Sequence, residues 1–192
     1  MLNYAKRLEL ISFGDLPTIC EKAGLNKNYL YHILSGDWNP KAETLRLICR
    51  VLNLRLSQYC RIIEELPPNP RFKSYYVKDL FIKNINHVEC IFRYDYIHLA
   101  IKFFIIQKEI SLYKLKREDK DYLHTFLSDR KNKLDADVTM YKLEHLASII
   151  KVPLSALVFQ IEYIAIFNHL MSKDITQDRI KSFSYFRSLD LI

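Results

Sequence analysis

The most informative part of this chain is AGLNKNYLYHILSGDWNP, residues 23–40, which holds two of only three glycines among 192 residues. Gly24 and Gly36 stand at the two ends of a run whose apolar residues recur at helical spacing. Glycine adopts at little cost the left-handed backbone conformation that often follows a helix. We therefore predict that Gly24 ends one helix, and that the next is capped by Asn26, continues to about Leu34 and stops at Gly36.

Further short helices are predicted on both sides of this run. The apolar spacing indicates one helix over 3–12 and another from Asp15, a suitable N-cap, to Gly24. After the run, the pair Asn39-Pro40 starts a fourth helix, and a fifth spans about 57–65. The predicted core side chains of this unit are Leu30, Ile33, Leu34, Leu45, Ile48, Cys49 and Leu52.

Composition and prolines predict the fold class and the domain organisation. Hydrophobic residues make up 49% of the chain and charged residues 27%, which is typical of a folded protein. The scarcity of glycine and proline disfavours a turn-rich β architecture, so we predict an all-α fold. The segment LPPNPR cannot continue a helix. It separates a domain over 1–66 from a proline elbow with connecting helices over 67–95 and a second helical domain over 96–192.

The second domain repeats parts of the first. YLYHILS (29–35) matches YLHTFLS (122–128) at an offset of 93 residues, and LRLICRVLNLRLS (45–57) matches LEHLASIIKVPLS (143–155) at an offset of 98. We predict a degenerate second copy over about 96–157, with five extra residues in its intervening loop. Chance similarity between amphipathic helices is the alternative. The apolar spacing also predicts a helix over 96–108 and one or two helices over 156–189.

The first unit resembles the lambda-repressor-like family of helix-turn-helix proteins, the Cro/CI or XRE type. ICEKAG (19–24) fits the bracing helix of that family, GLNKNYLYHILSG (24–36) its turn and recognition helix, and NPKAETLRLICRVLNL (39–54) its next helix. The resemblance covers about residues 4–60. It implies a domain whose second motif helix lies in the major groove of DNA and presents its first residues to base edges.

The resemblance also implies roles for individual residues, for each of which the alternative is a solvated surface side chain. Lysine can donate to guanine, and asparagine can pair with adenine through two hydrogen bonds. The residues implied to read bases are Lys27, Asn28 and His32. Those implied to contact the DNA backbone are Asn26, Tyr31, Asn39, Lys41 and Arg46.

The second copy departs from the pattern at the tip of its recognition-type helix. It has no glycine at either end, and the helix opens REDKDYLHTFL. Lys120 stands where Lys27 does, but Asp121 replaces Asn28, and two further acidic residues precede it. Because carboxylates are repelled by phosphates, we expect a scaffold or dimerisation role for this copy. The basic run RKNK (130–133) leaves a secondary contact with the DNA backbone open.

The leading hypothesis is a sequence-specific, repressor-like transcriptional regulator that binds double-stranded DNA as a homodimer. The net charge of +7 suits a polyanionic partner. The apolar helices 96–108 and 156–189 could form the dimer contact or lie in the core of one chain. A pseudo-twofold within one chain, which would let a monomer mimic a dimer, is also open. The alternative function is a protein-interaction module, such as an antitoxin, an anti-repressor or a host-factor binder, that uses 96–192 and has lost DNA reading.

No catalytic, cofactor or metal site is predicted. The six histidines and four cysteines are scattered without the spacing of a metal site, and the sequence lacks a glycine-rich phosphate loop. We therefore expect neither an enzyme nor a cofactor-binding protein. The most apolar stretch, 97–107, is too short to span a membrane and contains Lys102. Charged residues near the start of the chain argue against a signal peptide, so we expect a cytoplasmic protein without membrane partners.

Overall fold

A computed structural model describes residues 16–34, 39–52, 54–65, 90–128 and 138–171. Within these ranges the protein consists of eight α-helices and one 3-10 helix, Leu112–Lys114, without strands. This confirms the predicted all-α class. The α-helices in chain order are α1 Leu16–Ala23, α2 Lys27–Leu34, α3 Ala42–Val51, α4 Leu56–Ile63, α5 Tyr94–Gln107, α6 Arg117–Leu127, α7 Met140–Ile149 and α8 Leu154–Met171.

Most predicted helices lie within two residues of the observed ones. The predicted 57–65 corresponds to α4, and the predicted 96–108 corresponds to α5. The prediction that Asn39-Pro40 starts a helix was wrong by two residues, because α3 begins at Ala42 with Lys41 as its N-cap. Several predictions fall outside the described residues: the helix over 3–12, the cap on Asp15, the stop at Gly36, the proline elbow, the helices between it and residue 90, the loop with RKNK, and the chain after 171.

The described residues up to 65, with α1–α4, form the first half of the molecule, and those from 90 onward, with α5–α8, form the second half. The first-half helices bury five of the seven side chains predicted for the core, and the side chain of Leu34 lies outside the described part. Leu30 and Ile33 of α2 and Leu45, Ile48 and Cys49 of α3 are at most 1% exposed. Leu52, after the end of α3, is only partly buried and packs against the same cluster. The inner face of α2 is therefore fixed by packing, and its other face is left for polar residues.

The second half is built around α8, which packs against α4, α5 and α7. Its residues Leu157, Val158 and Ile161 are fully buried, as are Ile97 and Ile101 of α5. Of the two roles left open for these apolar helices, burial in the core of one chain accounts for these five side chains. Because α4 of the first half packs on α8, the two halves share one hydrophobic cluster.

The helices in the later part of each half have matching bounds. Shifting α3 by 98 residues gives the bounds of α7, and the same shift takes the first residue of α4 to the first residue of α8. The turns between these helices also match: Leu54 N–H donates to the carbonyl of Cys49 at 2.8 Å, and Val152 N–H donates to that of Ala147 at 3.0 Å. The backbone thus repeats where the sequence similarity predicts a second copy.

Candidate nucleic-acid interface

A tight turn of three residues, 24–26, joins α1 to α2. Gly24 has a φ of 64°, the left-handed conformation predicted for it. Leu25 N–H donates to the carbonyl of Cys20 at 2.8 Å, which closes the end of α1. A Cβ added at Gly24 would meet no atom within 4 Å. The backbone conformation, and not crowding, is therefore what favours glycine at this position.

Asn26 caps α2, as predicted. Its Oδ1 accepts a hydrogen bond from the backbone N–H of Asn28 at 2.8 Å, and its backbone carbonyl accepts from Leu30 at 3.3 Å. Asparagine is among the preferred N-cap residues because its short side chain reaches the first donors of a helix that have no partner within it. The cap fixes where α2 begins and so which residues stand at its tip.

The outer face of α2 is polar and exposed. Lys27 and Asn28 are exposed at its first two positions, and Tyr31, one turn further on, is 58% exposed. His32 is half-buried, and its ring meets that of Tyr31 edge-on at 6.4 Å between centroids. Four of the five residues that the resemblance assigns to α2 and its cap therefore lie on the surface, and His32 lies at its margin.

Asn39 and Lys41, predicted to contact the DNA backbone, lie where the two halves meet. Asn39 is exposed, but its Oδ1 accepts a hydrogen bond from Tyr141 N–H at 3.0 Å and so caps α7 of the other half. Lys41 forms an isolated antiparallel bridge with Thr139 through its backbone, and its side chain is exposed. The bridge leaves the Lys41 side chain on the surface, and the side-chain oxygen of Asn39 is used in a contact between the halves.

The prediction of a DNA-backbone contact by Arg46 does not fit its burial. Arg46 is only 6% exposed, and its guanidinium forms an ion pair with Glu43 on the same helix. The other carboxylate oxygen of Glu43 accepts from Ile91 N–H at 3.3 Å, which places this pair under the start of the second half. The spacing of three residues between Glu43 and Arg46 is a sequence signal for this pairing.

At the position that the repeat predicts, the described part of the second half has no counterpart of α1. At the offset of 93 residues given by the YLYHILS repeat, α1 corresponds to residues 109–116, and this described segment contains only the 3-10 helix Leu112–Lys114. The helix α6 begins at Arg117, three residues before the position that matches the start of α2. The compact arrangement of α1, the three-residue turn and α2 is therefore not repeated among the described residues.

Charged residues at the start of α6 interact with one another and with an aromatic ring. The Arg117 guanidinium lies 3.9 Å from the Asp121 carboxylate. The Lys120 ammonium lies 5.4 Å from the ring centre of Tyr113, a side chain that is 93% exposed. Glu118 and Asp119 add two carboxylates to the first turn. The tip of α6 thus differs in charge from the tip of α2, whose first turn carries no acidic residue.

The two halves meet through a pair of reciprocal backbone hydrogen bonds. Ala42 N–H donates to the carbonyl of Val138 at 2.8 Å, and Met140 N–H donates to the carbonyl of Pro40 at 2.9 Å. Each donor in one half is 98 residues from the donor in the other, and the same holds for the acceptors. The bridge between Lys41 and Thr139 lies midway between these two bonds.

Two glutamates, which the sequence analysis did not single out, cap helices of the opposite half. Glu162 on α8 accepts from Ser57 Oγ at 2.6 Å and from Ser57 N–H at 3.3 Å, at the start of α4. Glu64, just after α4, accepts from the backbone N–H groups of Leu154 and Ser155 at the start of α8. Glu64 and Glu162 are also 98 residues apart, so extending the repeat by one helix would have indicated them.

The Glu162 cap lies in a fully buried polar cluster. Burial raises the pKa of Glu162, while the charge of Arg55 and the hydrogen bonds from Ser57 oppose that rise. Burial lowers the pKa of Arg55, whose guanidinium also lies 5.9 Å from the ring centre of Phe159. Burial raises the pKa of the Cys49 thiol as well, which keeps it protonated and unreactive. This cluster joins the halves and is closed to solvent.

The described ranges hold no group of three or more His, Cys, Asp or Glu side chains placed to bind a metal ion. Among the same residues, no single helix is long and apolar enough to cross a membrane. The helices α7 and α8 together would reach the required length and apolar content, but they are bent by 107° relative to each other.

Comparisons with protein-family models, with curated proteins and with solved structures gave no match to this chain.

Proposed function

We propose that this chain is a sequence-specific DNA-binding regulator of transcription, repressor-like in its action, that reads the major groove with α2. One observation carries the proposal: a capped helix with an exposed polar tip follows α1 after a turn of three residues. Such a turn, often with glycine, is typical of helix-turn-helix proteins, in which the N-terminal residues of the second helix contact base edges.

The proposal gives each exposed residue of α2 a chemical role. Lys27 donates to guanine O6 or N7, Asn28 pairs with adenine N6 and N7, and His32 contacts a base from the margin of the surface. Asn26 and Tyr31 contact phosphates, which sets the register of the helix on the DNA without reading its sequence. The exposed Lys41 adds a further phosphate contact, and the buried Arg46 is left out.

Binding to a labelled pool of random duplex DNA, selected and sequenced, tests the proposal. Lys27→Ala with Asn28→Ala is expected to weaken binding to the selected sequence at least about thirtyfold, since each base contact contributes about 1–3 kcal/mol. Lys120→Ala with Asp121→Ala, the matching positions of the second half, is the control and is expected to retain the same selected sequence. Failure of the unmodified chain to select any sequence at low salt contradicts the proposal.

A phosphate contact can be separated from a base contact by its salt dependence. Lys41→Ala is expected to weaken binding to all sequences alike and to reduce the slope of log affinity against log salt concentration by about one. Equal affinity and slope in the variant would remove Lys41 from the interface while leaving the assignment of Lys27 and Asn28 in place.

The second candidate function is a protein-interaction module, such as an antitoxin, an anti-repressor or a host-factor binder, that acts through 96–192. The acidic first turn of α6 and the absence of a bracing helix before it favour this function for the second half. It predicts no sequence selection by the chain at any salt concentration. The selection experiment therefore separates the two functions.

A further inference from the structure

The contacts between the two halves have the pattern of a twofold-symmetric dimer interface. In such an interface, if residue i of one subunit contacts residue j of the other, then j of the first also contacts i of the second. Here Ala42 donates to Val138 and Met140 donates to Pro40, and these two donors and two acceptors are equivalent under the 98-residue offset. Lys41 pairs with its own equivalent, Thr139, so a pseudo-twofold axis passes between them.

The glutamate caps obey the same rule. Glu162 binds the start of α4, and its equivalent Glu64 binds the start of α8, which is the helix equivalent to α4. The two helices also pack directly on each other. This helix packing and four side-chain hydrogen bonds between residues some 90 to 105 positions apart define a specific interface.

We infer that the chain is its own pseudo-dimer and binds DNA as one chain per site, at a sequence that is not a palindrome. The surface formed by the start of α3 and by α4, through which a second copy would pair in this way, is already covered by α7 and α8 of the same chain. This inference rests on the proposed DNA-binding function. It replaces the homodimer expected from the sequence.

The asymmetry of the DNA site follows from the two tips. The tip of α2 carries Lys27 and Asn28, whereas the matching positions of α6 carry Lys120 and Asp121, preceded by two further carboxylates. Because a dimer of identical subunits reads a palindrome, two different tips cannot select the same half-site twice. The base-specific part of the site is expected on the side that α2 contacts.

The mass of the full chain in solution, alone and on its selected DNA, tests the inference directly. We expect 22.9 kDa for the free chain and one chain per duplex in the complex. Two chains per duplex on a palindromic sequence would overturn the inference and leave the proposed function intact. Failure to select any DNA would overturn the proposed function. Independently of DNA binding, a mass of the free protein in solution twice that of one chain would overturn the pseudo-dimer.

A cross-link shows whether the halves that pair belong to one chain. Lys41 and Thr139 form a non-hydrogen-bonded antiparallel pair, because the backbone hydrogen bonds are made by the residues on either side of them. In such pairs the side chains lie closer together than in hydrogen-bonded pairs, which suits a disulfide. Lys41→Cys with Thr139→Cys, oxidised with oxidised glutathione, is expected to give a disulfide within a single chain. Cross-linked dimers as the main product would show that the halves pair between chains and would overturn the inference.

The same double variant tests whether the halves stay together on DNA. Its oxidised and reduced forms are compared with each other, because both lack the Lys41 side chain. Equal affinity of the two forms for the selected duplex, with one chain bound in each case, is the expected result. Loss of binding on oxidation, reversed by a reductant, would mean that the halves separate on DNA and would overturn the inference.

Discussion

Gly24 and Glu109 both have a left-handed backbone conformation after a helix, but only one of them is a glycine. Gly24 has a φ of 64° and Glu109 a φ of 52°, each just after a helix. A non-glycine residue pays about 1–2 kcal/mol in this conformation. Because a Cβ at Gly24 meets nothing within 4 Å, Gly24→Ala is expected to lower the free energy of unfolding by about this amount.

The measurement is urea unfolding followed by circular dichroism, with two matched comparisons. Gly24→Asn is expected to lose less than Gly24→Ala, since asparagine tolerates the left-handed conformation better. Glu109→Gly is expected to raise the free energy of unfolding by about 1 kcal/mol. A loss of stability in Glu109→Gly equal to that in Gly24→Ala would contradict the assignment of both effects to backbone conformation.

Glu162 is expected to make the stability of the fold depend on pH. Burial raises its pKa, so the folded protein binds this proton more tightly than the unfolded chain. Its contribution to the free energy of unfolding is therefore fully present at low pH and is lost as the pH rises through the folded-state pKa. In Glu162→Gln that pH dependence is absent. We expect the stability of the variant, relative to the unmodified chain, to increase from acidic to neutral pH.

Urea unfolding at a series of pH values, with both proteins under the same buffer and salt conditions, measures this difference. Comparing the two proteins at each pH cancels the contributions of the other titrating groups. A constant difference in the free energy of unfolding across the series would show that the Glu162 proton is bound equally in the folded and unfolded chains.

Side-chain roles could be predicted from the sequence where neighbours along the chain determine them. The cap by Asn26, the left-handed Gly24 and the exposure of Lys27 and Asn28 all follow from residues within one turn of α2. The pairing of Arg46 with Glu43 follows from their spacing, but the burial of Arg46 could not be predicted from its neighbours along the chain. The burial comes with a contact to the second half, in which the second carboxylate oxygen of Glu43 accepts from Ile91 N–H.

At the scale of the helix, the Asn26 cap is expected to contribute about 1 kcal/mol to the free energy of unfolding. Asn26→Ala removes the Oδ1 acceptor of Asn28 N–H and leaves that donor without its partner in the chain. Asn26→Asp keeps an acceptor at the same place and is the control. Hydrogen exchange of α2 amides measures the effect locally, and urea unfolding measures it globally. Equal stability of the alanine and aspartate variants would exclude a capping role.

The bounds of the helices were predictable where apolar periodicity is strong, as in α2, α4 and α5. The absence of a helix at 109–116, where the repeat places a counterpart of α1, was not predicted. At the repeat offset, the buried Ile19 and Cys20 of α1 correspond to Leu112 and Tyr113, and Tyr113 is almost fully exposed. The other apolar residues of this segment, Ile110, Leu112 and Leu115, are only partly buried against the core. Their spacing of two and three residues does not place them on one face of an α-helix, and the segment forms one 3-10 turn.

At the scale of the whole molecule, the interface between the halves is what the sequence did not reveal. The repeat indicated two similar units, and a pseudo-twofold was one of the arrangements left open. Which surfaces meet depends on pairs such as Asn39 with Tyr141 and Ser57 with Glu162, which are about a hundred residues apart. Helical periodicity carries no information about contacts at such separations, because it describes only which face of each helix is apolar.

The reciprocal caps predict that the two halves lose stability together. Glu64→Ala removes the acceptor for two N–H groups at the start of α8, at an expected cost of about 0.5–2 kcal/mol for a lost helix cap. Glu162→Ala leaves two buried donors of Ser57 without their acceptor, at about 1–3 kcal/mol each, so its effect is expected to be larger. The milder Glu64→Ala keeps the comparison possible if Glu162→Ala does not fold.

Hydrogen exchange of the slowest amides in α3 and α7 reports on the two halves separately. Because α4 and α8 pack on each other and cap each other, each substitution is expected to lower the protection of both helices by the same free energy. Loss of protection confined to α7 in Glu64→Ala, or to α3 in Glu162→Ala, would show two independently stable domains. Equal losses would mean that neither half stays folded when the interface between them opens. The stability of α2 would then depend on the contacts of both halves.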